Sequence, residues 1–263
     1  MRFLKQTTRR VLKYLLSIAL MLYSWTIGLF TGKGQYIHSL VCEYFGISFP
    51  KPKLPLISPA QVLSSAPLRL AELEVQPGNM PVSELAALCG IVRRENPRAI
   101  FEIGTLNGRT TLNMALNSPP GCRIFTLDLP REQLGETRYP ISDRFRKLVE
   151  KERSGELFLN KDAAEFPETK KITQLFGDSG NFDFSPYYNA IDLVFIDGSH
   201  DYEYVLNDSE IALKLLREGR GVILWHDYRG GMEVITALET FRKRRPGLSL
   251  HHVRDTSFAY LKR

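Results

Sequence analysis

Residues 98–116, RAIFEIGTLNGRTTLNMAL, carry three signals in succession. Arg98 to Gly104 is a short apolar run and reads as a buried strand. Glu102-Ile-Gly104-Thr-Leu-Asn-Gly108 then gives the pattern E-x-G-x-x-x-G, whose glycines allow a tight turn and a close approach of the backbone to a ligand. Thr110 to Leu116 continues with helical spacing, and the N-terminus of such a helix offers free N–H groups above the loop. The loop is neither G-x-G-x-x-G nor a P-loop: it lacks the third close glycine of the first and the Gly-Lys-Ser/Thr of the second.

The same alternation extends outward in both directions. Upstream, Ser83 to Arg94 is an amphipathic helix, with Ser83 as its expected N-cap and Pro97 ending it. Downstream, strands are expected at Arg123–Leu129, Ile172–Phe176, Ile191–Asp197 and Val222–Trp225, and helices at Tyr204–Arg217 and Met232–Arg244. Two short β-like runs, Leu248–Val253 and Phe258–Leu261, close the chain. Strands alternating with helices mean an α/β fold with a mostly parallel sheet covered on both faces. Ligands of such sheets bind at the carboxyl ends of the strands, so the residues there carry the functional reading.

Three of those ends bear acids. Glu102 closes the first strand and Asp128 the second, where an acid can accept both hydroxyls of a ribose; Gly177-Asp178-Ser179 follows the third and suits an adenine amino group. Together they describe an adenosine pocket. At this point the chain resembles the class I S-adenosylmethionine-dependent methyltransferases, over about residues 80 to 263. The resemblance implies a Rossmann-like sheet of seven strands with a reversed C-terminal hairpin. It also implies S-adenosyl-L-methionine as cofactor, with Glu102, Gly104, Thr105 and Gly108 around its methionine end, Asp128 on ribose, and Asp178 and Ser179 near adenine.

The fourth strand ends in Asp197-Gly-Ser-His200 and the fifth in His226-Asp227. Two carboxylates at adjacent strand ends stand close enough to share a divalent cation, and His200 is placed to remove a proton. Within the broader fold this is similar to the metal-dependent O-methyltransferases that act on catechols and on sugars of macrolide antibiotics. That likeness implies Asp197 and Asp227, with His226, as ligands of Mg2+ or another divalent ion, and His200 as the base. His226 departs from the pattern, because imidazole ligates Mg2+ poorly and Mn2+, Fe2+ or Zn2+ better. The expected reaction is methyl transfer to a hydroxyl of a small molecule, a saccharide or a glycolipid. Two other readings stay open on these residues: a metal-independent methyltransferase, and a non-catalytic nucleoside-binding module.

Charge separates this domain from what precedes it. The 263 residues carry a net +6, but residues 1–59 hold eight bases and one acid, a net of +7 that leaves −1 for residues 60–263. A nucleic-acid reader needs clustered positive charge on its own domain, so nucleic acid is not expected as a partner. Residues 1–13 contain five bases, and Tyr14 to Phe30 (YLLSIALMLYSWTIGLF) has no charge. No cleavage pattern marks a signal peptide, and a cofactor of this kind is cytosolic. Three arrangements of residues 1–33 remain: lying on the cytoplasmic face of an anionic membrane, spanning it, or packing as a lid or as a contact in a homo-oligomer. Phe49 to Pro59, with four prolines, reads as a linker, giving expected domains of 1–59 and 60–263. Cys42, Cys89 and Cys122 are too few and too scattered for a disulfide framework and read as reduced thiols.

Overall fold

The computed structural model describes residues 2–26, 50–151, 153–230 and 232–263. The chain divides into two units, residues 1–51 and 52–263. In the first, the described residues form one helix, α1 (Arg2–Trp25), whose sequence has five bases before Tyr14 and no acid. Val11, Leu12, Leu15, Leu16, Ile18 and Leu22 on this helix are exposed. No described helix is long and apolar enough to cross a membrane. Residues 27–33 and Cys42 lie outside the described residues.

The second unit opens with β1 (Leu56–Ile57), α2 (Pro59–Val62) and α3 (Val82–Glu95). The quoted stretch follows as β2 (Ala99–Ile103) and α4 (Arg109–Asn117), then β3 (Arg123–Asp128), α5 (Asp143–Lys151), α6 (Glu156–Leu159) and β4 (Ile172–Phe176). The remainder is β5 (Leu193–Ile196), α7 (Tyr202–Leu215), β6 (Val222–Trp225), α8 (Val234–Arg244), β7 (Leu250–Val253) and β8 (Ala259–Lys262). All eight strands among the described residues join one sheet in the order β1-β7-β8-β6-β5-β2-β3-β4. Only β8 runs against its neighbours, pairing antiparallel with β6 and with β7, so the expected reversed hairpin is present.

The eighth strand comes from the proline-rich segment read as a linker. Leu56 and Ile57 pair parallel with β7, and Tyr228 Oη accepts the N–H of Lys53 (2.9 Å) and of Leu54 (3.1 Å). Prolines that lack an N–H can serve only at a sheet edge, and that is where this segment lies.

Every residue of β2, β5 and β6 is buried, which is why these strands read as continuous apolar runs. Alternate side chains go to opposite layers. Phe101, Ile103, Val194, Ile196, Ile223 and Trp225 pack with α7 and α8, while Ile100, Leu193, Phe195, Val222 and Leu224 pack with α3 and α4. Trp225 is core, its indole N–H donating to Ser209 Oγ at 2.9 Å. Helix α3 begins one residue earlier than its expected cap, with Pro81 in the N-cap position. This layering leaves the carboxyl ends of β2, β3, β5 and β6 side by side.

Candidate functional site

The loop after β2 is shaped by two glycines with different neighbours. Gly104 has φ +100, and a Cβ there would stand 2.2 Å from the carbonyl oxygen of Asp197 and 2.7 Å from Gly198 Cα. The glycine therefore lets the β2 loop lie directly against the β5 loop. Gly108 has φ +83 and precedes α4; a Cβ there would meet the Phe158 ring at 2.5 Å and Gly155 Cα at 2.9 Å. Its closest approach is thus to the turn entering α6, which also donates Gly155 N–H to Leu106 O (2.8 Å) and Leu157 N–H to Asn107 O (2.9 Å).

Glu102 is fully buried. Its Oε2 accepts hydrogen bonds from the hydroxyls of Thr111 and Thr126, while Oε1 is buried without a partner. Burial pushes its pKa up to about 8, so at neutral pH the carboxyl keeps its proton. Thr105 shares a 2.6 Å hydrogen bond with Thr126 Oγ1 and donates its N–H to Asp128 Oδ1 at 3.3 Å. Burial raises Asp128 to about 6, partly opposed by the Ser154 hydroxyl and the N–H groups of Thr105, Leu106 and Leu129. Glu102, Thr126, Thr105 and Asp128 are therefore one connected group.

Asp178 and Ser179 are tied elsewhere. Both carboxylate oxygens of Asp178 are engaged, Oδ2 by Arg138 N–H (2.8 Å) and Oδ1 by Tyr204 Oη (2.7 Å) and Gly180 N–H (3.1 Å). The Ser179 carbonyl accepts from Asn207 Nδ2 at 3.1 Å. These bonds pin the β4 loop to α7 and to the segment before α5.

At the reactive end, donor atoms of Asp197, His200 and His226 all lie within 4.8 Å of one another. His226 is buried between two carboxylates, with Nδ1 3.0 Å from Asp197 Oδ1 and Nε2 2.9 Å from Glu84 Oε2. Burial alone would raise the Asp197 pKa, but the His226 and His200 imidazoles hold it at about 2. Burial likewise opposes charge on His226, and Asp197, Glu84 and Asp227 overcome it, keeping its pKa well above the ordinary histidine value. His200 Nε2 stands 3.5 Å from Asp197 Oδ1 and 3.4 Å from Asp227 Oδ2, buried and without a hydrogen-bond partner.

Asp227, expected as a ligand, lies outside the three-residue set. Its backbone is left-handed (φ 55), its Oδ1 pairs with Arg229 Nε at 2.8 Å, and its Oδ2 faces His200. A non-glycine residue in that region costs roughly 1–3 kcal/mol, and such strain clusters at active sites. The donors fit a divalent ion by one measure: adjacent ligands around an octahedral ion with bonds of about 2.1 Å stand about 3.0 Å apart. Asp197 Oδ1 and His226 Nδ1 have this separation.

Glu84 was not expected here. It lies on the buried stripe of α3 with Leu88, Ile91 and Val92, and an acid at helical spacing among apolar residues was the available signal. The turn from Ser154 to Phe158 gave no such signal, because its role depends on where the insertion after β3 folds back.

Residues 101–228 match the model of a family described as a methyltransferase domain. Solved structures with a similar fold include an O-methyltransferase of tomaymycin synthesis from Streptomyces achromogenes in complex with S-adenosylmethionine. It is 17% identical, with 72% of this chain and 81% of that chain covered and a TM-score of 0.47. Another is a methyltransferase from Podospora anserina bound to S-adenosylhomocysteine (16% identity, 70% and 80% covered, TM-score 0.47). A third is an O-methyltransferase from Bacillus cereus (16% identity, 74% and 84% covered, TM-score 0.42). Comparison with curated proteins gives no match. The family match spans the strand ends that carry Glu102, Asp128, Asp197, His200 and His226.

Proposed function

We propose that the protein transfers the methyl group of S-adenosylmethionine to a hydroxyl of a small molecule, a saccharide or a glycolipid. The observation that carries this reading is the buried Nε2 of His200 flanked by the carboxylates of Asp197 and Asp227, beside the connected group of Glu102, Thr105 and Asp128. In the reaction the acceptor oxygen forms a bond to the methyl carbon as the carbon–sulfur bond breaks, and S-adenosylhomocysteine leaves. The hydroxyl proton passes to His200 Nε2, and the two flanking carboxylates stabilise the imidazolium that results. Asp128 accepts the ribose hydroxyls, and Gly104 brings that loop against the one bearing Asp197. Asp197 and His226 would hold a divalent ion, which when bound lowers the pKa of the acceptor hydroxyl. Most of the rate enhancement is assigned to positioning of the acceptor oxygen in line with the methyl group.

Calorimetric titration with S-adenosylmethionine tests the cofactor assignment. Wild type is expected to bind, and Asp128→Ala to bind about 10–100-fold more weakly, the cost of one or two hydrogen bonds to a charged acceptor. Undetectable wild-type binding at millimolar ligand would sink the proposal.

The acceptor class draws support from α1, whose five bases and exposed apolar residues suit a helix lying on an anionic membrane, where lipid-linked acceptors occur. The full chain is expected to co-sediment with phosphatidylglycerol vesicles and not with phosphatidylcholine vesicles, and to be released by high salt. Equal partition to both vesicle types, or to neither, rejects this role.

A further inference from the structure

Glu84 lies on α3, on the sheet face opposite α7 and α8, beside buried Leu85 and Leu88. Taking a carboxylate out of water costs several kcal/mol, so it is retained only with good partners. Two are present: Ser257 N–H donates to Oε1 at 2.5 Å, and His226 Nε2 faces Oε2 at 2.9 Å. The Ser257 bond alone would account for a role in holding the turn before β8. The His226 bond does something different. It occupies the outer ring nitrogen, so that Nδ1 is the one aimed at Asp197. The remaining ring neighbours are the apolar faces of Phe195 (6.5 Å) and Phe258 (5.6 Å), and Asp227 Oδ1 is 3.9 Å from Nδ1. Among the described residues, Glu84 is the polar group that sets which way the imidazole points from the side away from the site.

We propose that Glu84 is a positioning residue of the reactive end, acting through His226 to aim Nδ1 beside Asp197 Oδ1 so that the pair takes a transition-metal ion in preference to Mg2+. The proposal rests on the O-methyltransferase reading above. Its physical basis is that a ligating histidine is oriented by the partner of its other nitrogen, and that imidazole donors favour Mn2+, Fe2+ or Zn2+.

The test is titration of the full chain with Mn2+, followed by electron paramagnetic resonance, with S-adenosylhomocysteine binding measured by calorimetry on the same samples. Wild type is expected to bind Mn2+, an equal concentration of Mg2+ to leave it bound, and Glu84→Gln to weaken it by about 10–100-fold with S-adenosylhomocysteine binding unchanged. Should Glu84→Gln fail to fold, His226→Asn supplies the second arm, with the same loss expected. Mn2+ affinity equal in wild type and in either variant overturns the proposal, as does a wild type that takes no Mn2+ at millimolar concentration. A wild type that binds Mn2+ but not S-adenosylhomocysteine contradicts the methyltransferase reading and leaves the Glu84 assignment standing.

Discussion

Replacing His200 by alanine is expected to slow methyl transfer by about 10²–10⁴-fold, the usual contribution of a positioned base. Its Nε2 is buried between two carboxylates, 3.5 Å from Asp197 and 3.4 Å from Asp227, looser contacts than the 3.0 and 2.9 Å that hold the two nitrogens of His226. The loss should fall on kcat and leave S-adenosylmethionine binding intact, since the cofactor assignments lie at the ends of β2, β3 and β4. Release of S-adenosylhomocysteine against a panel of saccharide acceptors measures it, and added imidazole should restore part of the rate. A variant as active as wild type, on an acceptor that wild type methylates, removes His200 from the mechanism.

Gly104→Ala is expected to cost roughly 3–5 kcal/mol of stability, from a left-handed backbone and an overpacked contact together. The φ of +100 penalises any side chain, and the new methyl would meet the Asp197 carbonyl at 2.2 Å and Gly198 Cα at 2.7 Å. Both neighbours are backbone, held in the β5 loop by Asp197 N–H donating to Ile103 O at 2.8 Å, so neither can swing aside as a side chain would. With native domains stable by only about 5–15 kcal/mol, this is a large fraction of the total. Gly121 is the matched control: nothing lies within 4 Å of its Cβ position, and its alanine variant should differ little from wild type. Urea unfolding midpoints decide the matter. Equal midpoints for Gly104→Ala and Gly121→Ala would refute the close approach of the two loops.

Much of this fold is legible in residues 98–116 and their continuation. Strands buried on both faces must be apolar at every position, so β2, β5 and β6 stand out as runs, and the acids that end them mark the ligand edge. The reversed hairpin was legible as well, because two short β-like runs after the last helix have no crossover between them. The short strand Leu56–Ile57 was hidden by prolines, whose effect on the ladder depends on whether an edge is available.

The sequence by itself determined the α/β alternation, the sheet, and the presence of Glu102, Asp128, Asp197 and His200 at strand ends, because burial and turn chemistry are written locally in runs and glycines. Tertiary structure alone decided what each polar group faces. Glu84 meets His226 across 142 residues of chain, Asp178 meets Arg138 across 40, and Phe158 closes on Gly108 from an insertion with no pattern of its own. A buried carboxylate or imidazole takes its role from whichever donor or acceptor packing brings within about 3 Å, and no local run of residues encodes that partner.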